Sequence, residues 1–462
     1  MTITPAVPIT SLGLVPDSAA ARVVPLLGPP RPLKLPTVAD RTLDNGLRVL
    51  AVRRPGVPLV ELRLRLPFSG PTGKRLTAHV AQAQLLGDTM LSGNSRRDAT
   101  ALAVDLQALG GQLNAAIDAD RLAMGGSVLT TGLKGLLELL GEVLTDAAYP
   151  KHEVVGERDR LVQELAIYRS QPSVLAREAL LHKLYGNHPY GRELPKDADI
   201  EAIRPSDLRA LHAKRVAPEG AVLTLVGDLS PARTIAMVEK ALAGWTTKGT
   251  GATTPALPAH VVGLPLLVDR PGSVQTTLRM SRPVPTRTDP SYAALSLANL
   301  VFGGYFSSRW VANIREDKGY TYSPNSSIEH PPMGSRLTLS TDVATGVTAP
   351  AVLETLYELG RIATVPVEQD ELDQARRYAI GSLSLGTASQ AGIASTLSAL
   401  AGAGLGLEWL REQPARLAAV TVEQVQEVAR TYFSPTGFTT VLVGDAAEIG
   451  TDLAAVLAFE TQ

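Results

Sequence analysis

The chain has 462 residues, of which 45% are apolar and 19% charged, the balance of globular material with room for roughly two to four ordinary domains. Its 44 basic and 45 acidic residues nearly cancel, so no global field draws it to nucleic acid or to anionic lipid. The absence of cysteine excludes disulfides, thiolate metal sites and cysteine nucleophiles, and fits a reducing compartment, so the cytoplasm is the expected location.

Residues 1–40 lack the basic start and unbroken apolar stretch of a secretory signal and read as an extended, proline-rich arm. Two β-type runs follow, LRVLAVRR and VELRLRLPFS, between Leu47 and Ser69. Helical periods then run through HVAQAQLLGDTMLSG, DATALAVDLQALGG and ERDRLVQELAIYRSQPSVLAREALLHKLYG, the last beginning at Glu157. The region from Thr246 is rich in Thr, Gly and Pro, which places a linker over 246–262. Beyond it, LPLLVDR and VQTTLRMSRPV, between Leu264 and Val284, again read as strands, and DPSYAALSLANLVFG as a helix. From Ala379 to Leu407 there is no charge, but Ser, Gly, Thr and Gln interrupt the run. A buried pair of small-residue helices is therefore expected, and no membrane span.

The chain repeats itself at an offset of 217 residues: AIRPSDLRALHAKRVAPEGAVLTLVGDLSP from Ala202 matches AVTVEQVQEVARTYFSPTGFTTVLVGDAAE from Ala419. Each copy is a helix, a proline turn and a strand closed by Gly-Asp. Strands first, helices next and a strand last predict an α+β fold of two homologous domains, 41–245 and 263–462, each an antiparallel-rich sheet with helices packed on one face.

Two blocks carry a family resemblance. GDTMLSGNSRRDATALAVDLQALGGQLNAAIDADRLAM, from Gly87, resembles the first-domain signature of the M16 (pitrilysin-like) zinc peptidases, in particular their half-length M16B, mitochondrial-processing-peptidase-like branch. LANLVFGGYFSSRWVANIREDKGYTYSPNSSIEH, from Leu297, resembles the second-domain motif of the same family. The resemblance runs from about Thr42 to the end, agrees with the duplicated fold, and implies a zinc site opening with His-x-x-Glu-His. Anchored on Gly93, the two histidine positions fall on Gln84 and Asp88 and the glutamate on Gly87, and the distal glutamate ligand falls on Glu164. A hydrolytic zinc needs about three imidazole or carboxylate ligands plus a nearby base, which these residues do not supply. By itself, Glu164 reads as a solvated or ion-paired helix residue near Arg158 and Arg160.

In the second block, Arg315 and Tyr322 correspond on that resemblance to a pair that reaches toward the zinc site across a cavity. Gly303 and Gly304 read as a tight turn before the Phe306-Ser307-Ser308-Arg309 helix start, and His188-Pro189-Tyr190-Gly191 as an architectural turn. Family members of this length work as pairs. The combination therefore implies an accessory subunit, inactive alone and holding no cofactor of its own, whose heterodimer partner carries His-x-x-Glu-His and the zinc, and whose ligand is a peptide. Two other functions fit the same residues: a non-hydrolytic peptide-binding or scaffold protein, and a self-sufficient hydrolase with an unconventional metal site around Asp88 and Glu164.

Overall fold

In a computed structural model, which describes residues 36–246 and 254–462, the first half builds a six-stranded sheet from β1 (Val38–Thr42), β2 (Arg48–Arg53), β3 (Leu59–Pro67), β4 (Gly111–Ile117), β5 (Arg121–Leu129) and β6 (Val222–Gly227). The second half repeats it with β7 (Leu266–Asp269), β8 (Gln275–Val284), β9 (Asn325–Glu329), β10 (Ser335–Ala344), β11 (Thr439–Gly444) and β12 (Glu460–Thr461). In the strand orders, β1-β2-β6-β3-β5-β4 and β12-β7-β11-β8-β10-β9, the inner five strands correspond position by position, while the outer strand comes from the start of the first half (β1, antiparallel to β2) and from the end of the second (β12, parallel to β7). Pairing is antiparallel except for β2 with β6 and for β7 with β11 and β12. The predicted α+β duplication is thus the observed architecture. The arm expected over 1–40 lies outside the described residues as far as Leu35, and from Val38 the chain is already paired in β1.

The structure keeps the offset of 217 that the sequence reveals. It carries β6 onto β11 and the helix Pro205–Arg215 onto Val422–Tyr432 without a residue's difference. The second of these helices opens with a capping box, Thr421 and Gln424 each satisfying the other's backbone N–H.

Strand β3 shows the alternation that predicts it: Val60, Leu62, Leu64 and Leu66 point into the core and the residues between them point away. Against this face pack the first half's own helices, among them Leu76–Thr89 and Leu133–Asp146, whose buried leucines recur at helical spacing. Strand β6 is buried at every position. Its Leu223 and Leu225 belong to that core, whereas Val226 and neighbouring Val52 meet Ile393, Ala394 and Leu397 from the helix Gln390–Gly402 of the second half.

The reverse contact also exists. The first-half helix Pro172–Tyr185 lays Ala176, Leu180, Leu181 and Leu184 on Leu266, Val441 and Val443 of the second sheet. These two helices are counterparts under the repeat, so each half lends the other the cover for its second sheet face. That exchange gives the uncharged run its role: the small and apolar residues of Gln390–Gly402 are a packing surface for β3 and β6. Among the described residues no single helix is long and apolar enough to cross a membrane.

Of the linker expected over 246–262, residues 247–253 lie outside the described residues. Residues 254–262 form no helix or strand. They are held by His188, whose Nε2 donates to the Pro255 carbonyl at 3.0 Å, and by His260, 3.1 Å from the Thr439 hydroxyl.

Candidate functional site

The last turns of the helix Leu76–Thr89 carry Gln84, Gly87 and Asp88. Packed beside it, the helix Lys151–Arg169 carries Glu157, Arg160 and Glu164 at spacings of three and four residues, which line one helix face. Arg160 Nε donates to Glu157 Oε2 at 2.9 Å, its Nη2 to the other Glu157 oxygen and its Nη1 to Glu164. Asp88 belongs to the same electrostatic group. Although the residue keeps an exposed edge, protein packed around its carboxyl pushes the pKa up to about 6; the charges of Glu157 and Glu164 act in the same direction and Arg160 against it. The structure therefore gathers Asp88 and Glu164, and the ion pairing expected of Glu164 is made by Arg160. Arg158 turns away, donating to the Glu201 carbonyl at 2.9 Å. Glu157 is a member that sequence reasoning missed, although the spacing Glu157-x-x-Arg160-x-x-x-Glu164 was a readable signal.

Gly87 faces edge strand β4. A Cβ on it would stand 3.3 Å from Ile117 Cγ1 and 3.5 Å from the Ile117 nitrogen, so a side chain at this position would be tight against that of Ile117.

The second cluster sits on a chain path with two widened turns. The helix Tyr292–Asn299 continues as a π turn over Leu300–Gly304, and after a short turn Arg309–Val311 a second π turn spans Ala312–Asp317, carrying Arg315. The Gly303-Gly304 pair, expected as a tight turn, is part of the helix. It closes the first π turn in a packed setting, where a Cβ on Gly303 would lie 2.9 Å from the Trp310 ring and 3.0 Å from Ser326 Cβ. Trp310 is fully buried, with Nε1 donating to Thr355 at 3.1 Å, and Arg309 grips Glu371 through bonds of 2.8 and 2.6 Å.

On this frame the Arg315 guanidinium lies over two rings, 4.6 Å from the centroid of Phe306 and 4.8 Å from that of Tyr322, with Nε 3.1 Å from Glu316. Tyr322 is 79% exposed and Phe306 57%, so both rings stand at the surface. The structure brings the predicted pair together and adds Phe306, a ring that lay inside the motif without being singled out.

A third feature joins the halves. A cavity of about 400 Å³ is lined by Gln84, His79 and Asp120 from the first half and by Glu329, His330 and Arg336 from the second. Neither Arg315 nor Tyr322 lines it. Its charges are largely paired: Arg177 holds Glu193 at 2.6 and 2.8 Å, Arg121 holds Asp118 at 2.6 Å, and Arg336 holds Glu329. Burial pushes the Glu329 carboxyl up, but Arg336 and Arg177 outweigh it and hold the pKa below the ordinary value. The His188-Pro189-Tyr190-Gly191 turn is architectural: the Tyr190 hydroxyl donates to Asp120 at 2.6 Å and accepts from the Met333 N–H at 3.3 Å, linking the halves.

The model of the insulinase (peptidase family M16) domain matches residues 82–198, and that of the peptidase M16 inactive domain matches 202–378. These are two domains of one family, and together the matches span more than half of the chain. The chain belongs to peptidase family M16. Similar curated proteins include an uncharacterized zinc protease of Mycobacterium leprae, 26% identical over 296 residues, which are 63% of this chain and 66% of that one. Another, from Bacillus subtilis, is 25% identical over 287 residues, 61% of this chain and 68% of that one. The chain thus spans just under two thirds of the length of the Mycobacterium leprae relative. In fold it is similar to the peptidase M16 inactive domain from Pseudomonas fluorescens, with a TM-score of 0.81 at 24% identity, covering 88% of this chain and 98% of that one. A protease from Helicobacter pylori gives 0.77 at 19% identity, covering 89% and 100%.

Membership of M16 implies a zinc ion, and the residues at the corresponding positions do not fit one. Gln84 offers an amide and Gly87 nothing, and Glu164 is engaged by a guanidinium. Among the described residues no group of three or more His, Cys, Asp or Glu side chains is placed to hold a metal ion.

Proposed function

We propose that this M16 chain is a zinc-free accessory subunit of a heterodimeric endopeptidase of the M16B kind. In this reading a partner subunit carrying His-x-x-Glu-His supplies the metal and the base. This chain supplies Arg315, Tyr322 and half of a closed peptide chamber. The observation that carries the reading is the contrast between the two clusters. The metal positions are chemically unfit, with Glu164 tied to Arg160, whereas Arg315 and Tyr322 are assembled on a buried frame with the Tyr322 ring at the surface. A guanidinium fork and a phenol can together hold a substrate carbonyl and stabilise charge developing on it.

The outer edge of β4 supports peptide binding by strand addition. Among the described residues β4 pairs only with β5, so its other row of backbone donors and acceptors is available to an extended peptide. The same open edge suits a second reading, a peptide-binding scaffold without hydrolysis. One experiment separates the two: the chain is combined with a His-x-x-Glu-His subunit and assayed on an unstructured peptide, with Arg315→Ala and Tyr322→Phe as variants. Cleavage by the pair and its loss in the variants support the accessory role. Unchanged cleavage by both variants would remove the proposed mechanism, and no cleavage by any pair would favour the scaffold.

A further inference from the structure

Beside the cavity that joins the halves lies a smaller one of about 260 Å³, whose charged lining is all of one sign: Lys74, Arg192 and Lys196. Lys74 stands on the short turn Gly73–Arg75 that leads into the helix Leu76–Thr89, and the other two follow the His188-Pro189-Tyr190-Gly191 turn. The two walls are tied together, the Gly73 N–H donating to the Asn187 carbonyl at 3.2 Å, and the second wall is anchored by the buried His188, Pro189 and Tyr190. The cavity is therefore formed by the backbone before any ligand arrives.

Among the described residues the side chains of Lys74, Arg192 and Lys196 make no hydrogen bond and no ion pair. The carboxylates next to them in sequence are engaged elsewhere, Glu193 by Arg177 at 2.6 and 2.8 Å and Asp197 by Arg169 at 2.5 Å. Arg192 reaches Glu178 only through its field, and burial still holds that carboxyl above its ordinary value. Thr77 and Asn187 add a hydroxyl and an amide to the lining, and His182 an imidazole.

We propose that Lys74, Arg192 and Lys196 form a binding site for a phosphate group. Like charges held in one concave site raise the local concentration of an opposite charge, and an anion among them relieves their repulsion. A carboxylate brings a single charge and two oxygens. A phosphate group carries about −1.5 to −2 at neutral pH and presents three acceptor oxygens, which matches three cations with a hydroxyl and an amide at their side. Arg192 supplies a planar fork and the lysines compact charges on rotatable stems, a combination suited to an oxyanion approached from several sides. Arg192 and Leu76 line the larger cavity as well, so the bound group stands at its margin and offsets the Arg192 charge. Lys74 and Lys196 are exposed, which makes the binding sensitive to salt. The site does not depend on the accessory role in hydrolysis.

The test titrates the full chain at low salt, in a phosphate-free buffer, with inorganic phosphate, with O-phosphoserine and with acetate, read by calorimetry and by thermal denaturation. The expected result is saturable uptake of about one phosphate per chain with a rise in Tm, weakened by added NaCl. Arg192→Gln should weaken uptake by about ten-fold or more, the scale of one lost charge-assisted hydrogen bond, and Lys74→Gln/Lys196→Gln should abolish it. Lys134→Gln, which removes an exposed lysine from another helix, should leave it unchanged. If Arg192→Gln does not fold, the double variant at the two exposed lysines decides. O-phosphoserine bound more tightly than inorganic phosphate would mark a phosphate carried on a larger molecule, and the reverse order the free ion. No saturable uptake, uptake unchanged in the double variant, or acetate bound as tightly as phosphate would overturn the proposal and leave the accessory-subunit reading untouched.

Discussion

The Arg315 guanidinium lies 4.8 Å from the centre of the Tyr322 ring and 4.6 Å from that of Phe306. The pair is thus held in position by an aromatic neighbour that contributes no hydrogen bond. A cation–π contact at an exposed site contributes about 0.5–1 kcal/mol. Phe306→Ala should therefore lower kcat/KM of the reconstituted pair by roughly two- to five-fold while leaving the chain's own Tm almost unchanged, as expected for an exposed position. Arg315→Ala should cost about 10²–10³ in kcat, the scale of one lost transition-state donor. Steady-state kinetics on a single peptide checks both.

Restoring the family's motif letters should not restore the metal. In the triple variant Gln84→His/Gly87→Glu/Asp88→His, the new side chain at 87 is forced against Ile117, and overpacking of this kind costs about 1–3 kcal/mol. Elemental analysis should find the triple variant without stoichiometric zinc, since Arg160 still holds Glu164. Urea unfolding should show the destabilisation, which Ile117→Ala should partly relieve. Destabilisation that Ile117→Ala does not relieve would place the strain elsewhere.

Acid should destabilise the fold before its carboxylates are fully protonated. Burial, assisted by Arg215, pushes His79 down to about 4, and burial with Arg287 pushes His330 down to about 3. Below about pH 6.5 the unfolded chain gains protons on these imidazoles that the folded chain does not, so their contribution is complete above that pH and is lost as pH falls toward about 4 and about 3. Asp88 has the opposite sign, because a carboxyl raised to about 6 favours the folded state as pH falls through that value. Urea midpoints measured between pH 7.5 and pH 5 should decline, and more steeply in Asp88→Asn, where the opposing contribution is removed. A midpoint that is flat or rises toward pH 5 in Asp88→Asn would contradict the assignment.

The exchanged helices should make the two halves melt together. Leu397 and Leu180 are 2% and 4% exposed on the two reciprocal interfaces, and Leu→Ala at such sites costs about 2–5 kcal/mol. Either substitution should lower the Tm of a single calorimetric transition. Two separate transitions, only one of them shifted, would mean that the halves unfold independently.

The duplication and the strand runs were legible because a helix–turn–strand unit repeated at fixed spacing leaves the same residue types at the same offsets. That Arg315 and Tyr322 stand together was legible because a dense motif surrounds them. The exchange of Pro172–Tyr185 and Gln390–Gly402 was not, because burial pattern records that a helix face is apolar and is silent on which sheet it meets. The first π turn escaped for a related reason: Leu300–Gly304 ends in a glycine pair that reads as a helix-breaking turn, and the fit of Gly303 against Trp310 is made only on folding. Arg160 was seen as a neighbour of Glu164 in sequence. Its grip on Glu157 as well depends on rotamers that spacing allows without dictating.

Because each sheet is roofed by a helix from the opposite half, the peptide connection between the halves is mechanically redundant. A chain cleaved between Thr246 and Thr254 would yield two fragments that remain interlocked through Leu180 on one side and Leu397 on the other, a non-covalent complex of complementary pieces. One half swinging away from the other would strip both sheets at once, so in the proposed subunit pair the movement that admits a peptide would lie between whole chains.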